Sequence, residues 1–250
     1  MKPRRITEKL KNELLELRLN RGSLDSFCFN YLKNFYENAK LMHESLKKCS
    51  SINPTAYRQY FVFLVGGLET FFRDLFVYIH SIDDNLLNSL LSEFNAPDDF
   101  NTSDELSLAE MFSKSFNFQN LNDIETAFNN LGNDNFLNTL SNTVISPCGF
   151  NGKVFAELGL SMVFPDWLDI LNQAFSVRHK VVHDANFRPE TDICLAQKAE
   201  SIFLLIPQIT TYIIARRYNI KSVFLQSNGN NFPYIFSIHD MLAEDWVIAE

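Results

Sequence analysis

Apolar positions along the chain recur at helical spacing in long blocks, separated by short polar breaks. Residues 6–20 read as a charged first helix. Ser23 is placed to cap a second, running to about Cys49, whose apolar side is Leu24, Phe27, Tyr31, Phe35, Leu41 and Met42. The break SSINPT puts Pro54 near the first turn of the next helix. That helix, from about Thr55 to Ile82, is apolar nearly all round, which predicts a central position. Residues 83–150 change character. They are rich in Asn, Asp and Ser, with short helical pieces (DNLLNSLLSEF, DELSLAEMFSKSF, DNFLNTLSNTV), and read as a helical insertion or lid closed by the turn Ile145 to Lys153. Pro165 and Asp166 open a further helix that ends at His183. After the loop DANFRP, a long helix from about Glu190 to Tyr218 is expected to bend near Pro207. The tail, 221–250, carries the turn-like clusters SNGNN and FPY and reads as a hairpin or irregular cap.

Composition supports an all-α reading. Apolar residues are 46% of 250, with 24 Phe, so a packed core is available, and only 8 Gly and 8 Pro punctuate the chain. One domain over 1–250 is expected, with 83–150 inserted into it. A net charge of −8 excludes a surface that coats nucleic acid generally, so any phosphate contact needs a local basic patch. The apolar stretch from Phe61 to Ile79 holds Glu69, Arg73 and Asp74, and that from Ile202 to Ile214 is short of the roughly 20 residues a span needs, so no membrane segment is expected. Cys28, Cys49, Cys148 and Cys194 form no metal-like spacing and fit a reduced, cytoplasmic setting. The N-terminus lacks the apolar core of a signal peptide.

Candidate chemistry gathers on one helix. With about 100° per residue, Trp167, Leu171, Ala174, Val181 and Val182 fall within about 60° of Arg178. Arg178 thus lies in the middle of an apolar stripe, where an uncompensated guanidinium is costly. Either a carboxylate such as Glu69 or Asp74 pairs with it, or the stripe faces water. His179 and His183, four apart, share the neighbouring face. Lys180 and Arg188 add positive charge, so this helix end is a local anion site in an acidic chain, and phosphate is its natural guest. His43, His80 and His239 show no evident partners. Arg216 and Arg217, at a helix C-terminus, read as dipole compensation or as an extension of an RNA track.

The run Arg178-His179-Lys180-Val181-Val182-His183 is similar to the Arg-polar-x-x-x-His motif of the HEPN superfamily. Upstream, Leu64-Val65-Gly66-Gly67-Leu68-Glu69-Thr70-Phe71-Phe72-Arg73 resembles the first core helix of several HEPN nuclease families, and the nearest branch is that named for its RiboL-PSP members. The resemblance covers about half the chain and leaves out the insertion and the tail after residue 220. The position after the arginine, often Asn in the family, is His179 here. The resemblance implies a bundle of four to five core helices that dimerises with the motif helices near the two-fold axis. It also implies metal-independent endoribonuclease activity without a cofactor, leaving a 2′,3′-cyclic phosphate, and a role as a toxin or antiviral effector with an antitoxin or regulatory partner. His183 is then the acid–base candidate and Arg178 the phosphate clamp, with His179 and Glu69 in support and Lys180, Arg188, Arg216 and Arg217 as RNA contacts. Two other readings compete. One is a non-catalytic HEPN-like module that binds protein or nucleotide, with Arg178 structural. The other is a metal-dependent hydrolase using His179 and His183, against which Lys180 stands where a zincin requires Glu, with no third ligand evident.

Overall fold

The structure, a computed structural model, describes residues 12, 22–48, 53–93, 108–131, 135–147, 156–184, 186–224 and 233–243. The described residues are mostly helical: α1 (Leu24–Lys48), α2 (Pro54–Ile82), α3 (Asp84–Glu93), α4 (Leu108–Ser113), α5 (Leu121–Phe128), α6 (Phe136–Asn142), α7 (Leu160–Val163), α8 (Trp167–His183), α9 (Ile193–Arg217) and α10 (Ile238–Ala243). Among the described residues a small antiparallel pair, β1 (Val144–Ile145) with β2 (Leu158–Gly159), sets Val144 opposite Gly159. The helix expected over 6–20 and the turn segment 148–153 fall outside the described residues. No described helix is long and apolar enough to cross a membrane.

The chain forms two compact units. The first takes residues up to Phe27 together with Glu69–Thr139. Its core is phenylalanine: Phe71, Phe72, Phe76, Phe112, Phe116, Phe118, Phe128 and Phe136 are all buried. Phe72 meets Phe118, Phe128 and Phe136 at centroid separations of 6.4, 5.6 and 6.1 Å. Each buried ring contributes roughly 1.5–3 kcal/mol. Phe118 adopts φ 54°, a left-handed conformation costing about 1–2 kcal/mol, and burial of its ring offsets this. Glu125 ties the pieces together. Its two oxygens accept the N–H groups of Phe136 and Leu137 at 3.0 and 2.9 Å, capping the start of α6 with negative charge.

The second unit takes Cys28–Leu68 and Leu140 onward, and carries α8 packed against α9. Asp192 caps α9 by accepting the Leu195 N–H at 3.0 Å, so that helix begins at Ile193 rather than at Glu190. Its C-terminus is closed by Asn219 at φ 51°, with the Ile220 N–H donating to the Ala215 carbonyl at 2.8 Å. Pro207 lies inside α9 and has no N–H for the carbonyl four residues earlier, that of Phe203. The Tyr31 hydroxyl from α1 donates to that carbonyl instead, at 2.9 Å. Gly67 makes the room, since a Cβ there would sit 3.2 Å from Tyr31 Cε2. Gln208 fastens the tail. Its amide donates to Phe236 O at 3.1 Å and its oxygen accepts the Phe236 N–H at 2.7 Å. Among the described residues of the tail, the Tyr234 N–H donates to the Val223 carbonyl at 3.3 Å, Phe236 pairs with Gln208, and Ile238–Ala243 form α10.

Candidate active site

The site is built at the C-terminal end of α8. Trp167, Ile170, Leu171, Ala174 and Phe175 bury one face of this helix. Trp167 is fixed by its indole N–H, which donates to Ser141 Oγ at 3.2 Å, and Asp166 ahead of it accepts from Lys198 of α9 at 2.8 Å. After Phe175 the same face emerges. Arg178 and Val181 are half-buried and Val182 is 49% exposed. Arg178 therefore stands where the stripe passes from core to solvent, with its Nε shielded. His179 and His183 are exposed beside it, their ring centroids 4.6 Å apart. A helix C-terminus is a favourable place for the positive charge of Lys180.

The loop after α8 adds to this end. Asp184 accepts the Asn186 N–H at 2.9 Å, which turns the chain at once. Lys180 Nζ lies 5.5 Å from the centroid of the Phe187 ring. The Phe187 carbonyl accepts from Arg188 Nη1 at 3.0 Å and from Arg58 Nη1 at 3.3 Å. Arg58 belongs to the first turns of α2 and is steadied by Thr55 Oγ1 at 3.2 Å. Next to it Tyr57 is buried with its hydroxyl by the Asp192 backbone, and burial pushes that hydroxyl's pKa up. Arg58 is not conspicuous in the sequence, because an arginine in a first helical turn looks like ordinary solvated charge.

The other candidates have surroundings of their own. Glu69 accepts from Arg73 Nη2 at 2.7 Å and from Gln119 Nε2 at 2.6 Å, within the phenylalanine-rich unit. Arg216 and Arg217 are exposed at the last turn of α9, about 35 Å along the helix axis from its start beside the site. Arg217 lies over Tyr218 at 5.7 Å. Among the described residues no group of three or more His, Cys, Asp and Glu is arranged to hold a metal ion.

A second ionic cluster is equally silent in the sequence. His43 Nε2 lies 3.0 and 3.1 Å from the two oxygens of Glu200, which also accepts from the Tyr60 hydroxyl. Glu200 and Tyr60 are buried. Burial, followed by the neighbouring Glu200 charge, pushes the Tyr60 hydroxyl far above its ordinary range, so it stays a donor. The one available signal is Glu200 itself, an acid on the inward face of an apolar helix that requires a partner.

Helical architecture with Arg178 and His183 five residues apart at the end of α8 is the form that the HEPN resemblance implies. The RiboL-PSP-HEPN family model matches residues 28–214, and the chain belongs to that family. The match runs from α1 to α9, takes in the whole α8 motif and stops short of Arg216 and Arg217. No curated protein and no solved structure matches the chain.

Proposed function

We propose that the protein is a metal-independent endoribonuclease whose active site is Arg178 and His183. The observation that carries this reading is the emergence of the α8 stripe: Arg178 sits at the water's edge beside two exposed imidazoles rather than deep in the core. RNA brings its own nucleophile, the 2′-OH. Cleavage needs that proton removed, the leaving 5′-oxygen protonated and the phosphorane charge stabilised. An imidazole titrates near neutral pH and serves as base or acid, which is the role of His183. A guanidinium holds two phosphate oxygens in a fork without changing its own protonation, which is the role of Arg178. The product is a 2′,3′-cyclic phosphate and a free 5′-hydroxyl. His179 orients the substrate or assists His183.

A two-fold dimer supplies the second histidine that acid–base chemistry uses. Val182, on the Arg178 side of α8, is an exposed apolar residue that a second copy would cover, as are Phe63 and Ile193. Such an effector, acting as a toxin or in antiviral defence, is held in check by an antitoxin or regulatory protein. Expression of wild type and His183→Ala in bacteria, with growth and total RNA followed, tests the activity. Wild type degrades RNA and arrests growth, and the variant does neither. Cleavage by the purified protein survives EDTA, because Arg178 supplies the charge a divalent ion would otherwise supply. Loss of cleavage in EDTA with recovery on zinc or manganese overturns this reading. Cleavage by a protein that sediments as a monomer overturns the shared site.

A further inference from the structure

We infer that His179 and His183 together form a binding site for a zinc ion, and that the bound ion switches the ribonuclease off by occupying His183. The inference rests on the ribonuclease reading and adds a regulator to it. Two histidines four apart on one helix face can share a metal ion, because one helical turn brings the second ring above the first. Here both rings are exposed and their centroids are 4.6 Å apart. A tetrahedral zinc ion holds imidazole nitrogens at about 2.0–2.1 Å, which sets two of them about 3.4 Å from each other. Rings at this spacing reach that separation by side-chain rotation alone, since exposed side chains change rotamer freely. Neutral imidazole is a ligand that zinc favours. Water completes the shell, so two protein ligands suffice to hold the ion, though they are too few for the three-ligand site of a catalytic zinc.

The surroundings permit a cation. At about 100° per residue Asn172, Ser176, His179 and His183 fall within about 60° of one another, so the pair lies on a polar, uncharged face of α8. All four residues are exposed. Arg178 and Lys180 flank this face and weaken the hold on a dication. Arg178 is half-buried, however, and the Lys180 ammonium lies against the Phe187 ring, 5.5 Å from its centroid. Over residues 178–192 the charges balance, with Arg178, Lys180 and Arg188 against Asp184, Glu190 and Asp192, and Arg58 of α2 adds a further positive charge at the Phe187 carbonyl. Against that charge stand the peptide dipoles at the end of α8 and a net charge of −8 over the whole chain. Zinc is thus held by its bonds to nitrogen more than by the local field. Ligation and catalysis then compete for one ring. The lone pair of His183 that would take the proton is donated to the ion, and the proton of any imidazolium passes to water as zinc binds.

The test titrates zinc chloride into the full chain by calorimetry and repeats the titration during cleavage of a labelled RNA oligonucleotide. Wild type should bind a zinc ion that His179→Asn and His183→Ala each lose. Both positions are exposed, so the variants stay folded, and the difference from wild type sets aside zinc held by thiols elsewhere. Wild-type cleavage should stop as this ion binds and resume on EDTA. Magnesium, which prefers oxygen ligands, should leave it unchanged. Equal zinc binding by wild type and His179→Asn, with RNA cleaved by the wild type, overturns the zinc site and leaves the ribonuclease reading standing. Zinc lost in both variants, with no cleavage by the wild type even in EDTA, keeps the zinc site and overturns the ribonuclease reading. Zinc lost in both variants with wild-type cleavage undiminished by zinc overturns the switch. Cleavage that requires zinc overturns the switch and the metal-independent reading together.

Discussion

The protein places histidines in two contrasting settings. His43 is half-buried against Glu200, whose oxygens it shares with the Tyr60 hydroxyl. His179 and His183 stand exposed at the end of α8, ring beside ring, with Arg178 and Lys180 as neighbours. The first arrangement has a carboxylate that holds the ring, and its hydrogen bonds point inward between helices. The second stands exposed at a helix end, with two cationic side chains for neighbours. A histidine's partners thus indicate its use better than its presence in the sequence does.

The comparison can be broken most sharply at its exposed side. His183→Ala is expected to lower RNA cleavage by about 10²–10⁴-fold, the usual worth of general acid–base catalysis. Its unfolding free energy should stay within about 1 kcal/mol of wild type, because the site is outside the core. Arg178→Ala should abolish cleavage. A wild-type rate in His183→Ala would remove the contrast between the two settings.

The buried side predicts the opposite pattern. Glu200→Ala takes the acceptor from Tyr60 and His43, and leaving a buried hydroxyl unsatisfied costs about 1–3 kcal/mol. Denaturant melts should show that loss, with cleavage per folded molecule retained. Equal destabilisation by His183→Ala and Glu200→Ala would mean that both clusters are structural.

Smaller effects sharpen the picture along α2. Nothing lies within 4 Å of a Cβ added at Gly66, so Gly66→Ala should stabilise the helix by about 0.5–1 kcal/mol. Gly67→Ala should destabilise, because its Cβ meets the Tyr31 ring. Thermal melts of the two single variants check the opposite signs.

His80 supplies a third setting, in which burial alone dominates. Its Nδ1–H donates to Phe76 O at 2.8 Å, and burial depresses its pKa despite that bond and nearby Asp83. The unfolded chain therefore takes up a proton that the fold refuses as pH drops below about 6.5. Stability contributed by the neutral ring is present above that pH and is lost as pH falls toward the folded value. His80→Phe should flatten this acid limb in melts followed from neutral to acidic pH.

Much of this is legible in the residues. Helices α1, α2, α8 and α9 follow from 3.6-residue periodicity because each buries a continuous stripe, and Trp167 to Phe175 fall on the face that spacing assigns them. The half-buried position of Arg178 is not legible. Periodicity places it with the apolar stripe, but only tertiary packing decides that the stripe leaves the core after Phe175. Arg58 and the His43–Glu200–Tyr60 cluster are hidden for the same reason, since their partners lie 129, 157 and 140 residues away. Long-range pairing of polar groups leaves no local period to read. The phenylalanine core of the Glu69–Thr139 unit is masked by its Asn- and Asp-rich sequence, whose polar residues serve as caps at Asn120 and Asn135.

The missing amide of Pro207 has a consequence for how the sequence can change. Because Tyr31 donates to the carbonyl that this proline leaves unserved, the two positions share one hydrogen bond across 176 residues of chain. Tyr31→Phe alone orphans the Phe203 carbonyl. Pro207→Ala restores a helical donor to it and so makes the tyrosine hydroxyl dispensable. The order of substitution then matters: proline first opens a tolerated route to phenylalanine at 31, whereas tyrosine first passes through a weakened protein. A double-mutant cycle on the pair should return a coupling energy of about 0.5–3 kcal/mol instead of simple addition.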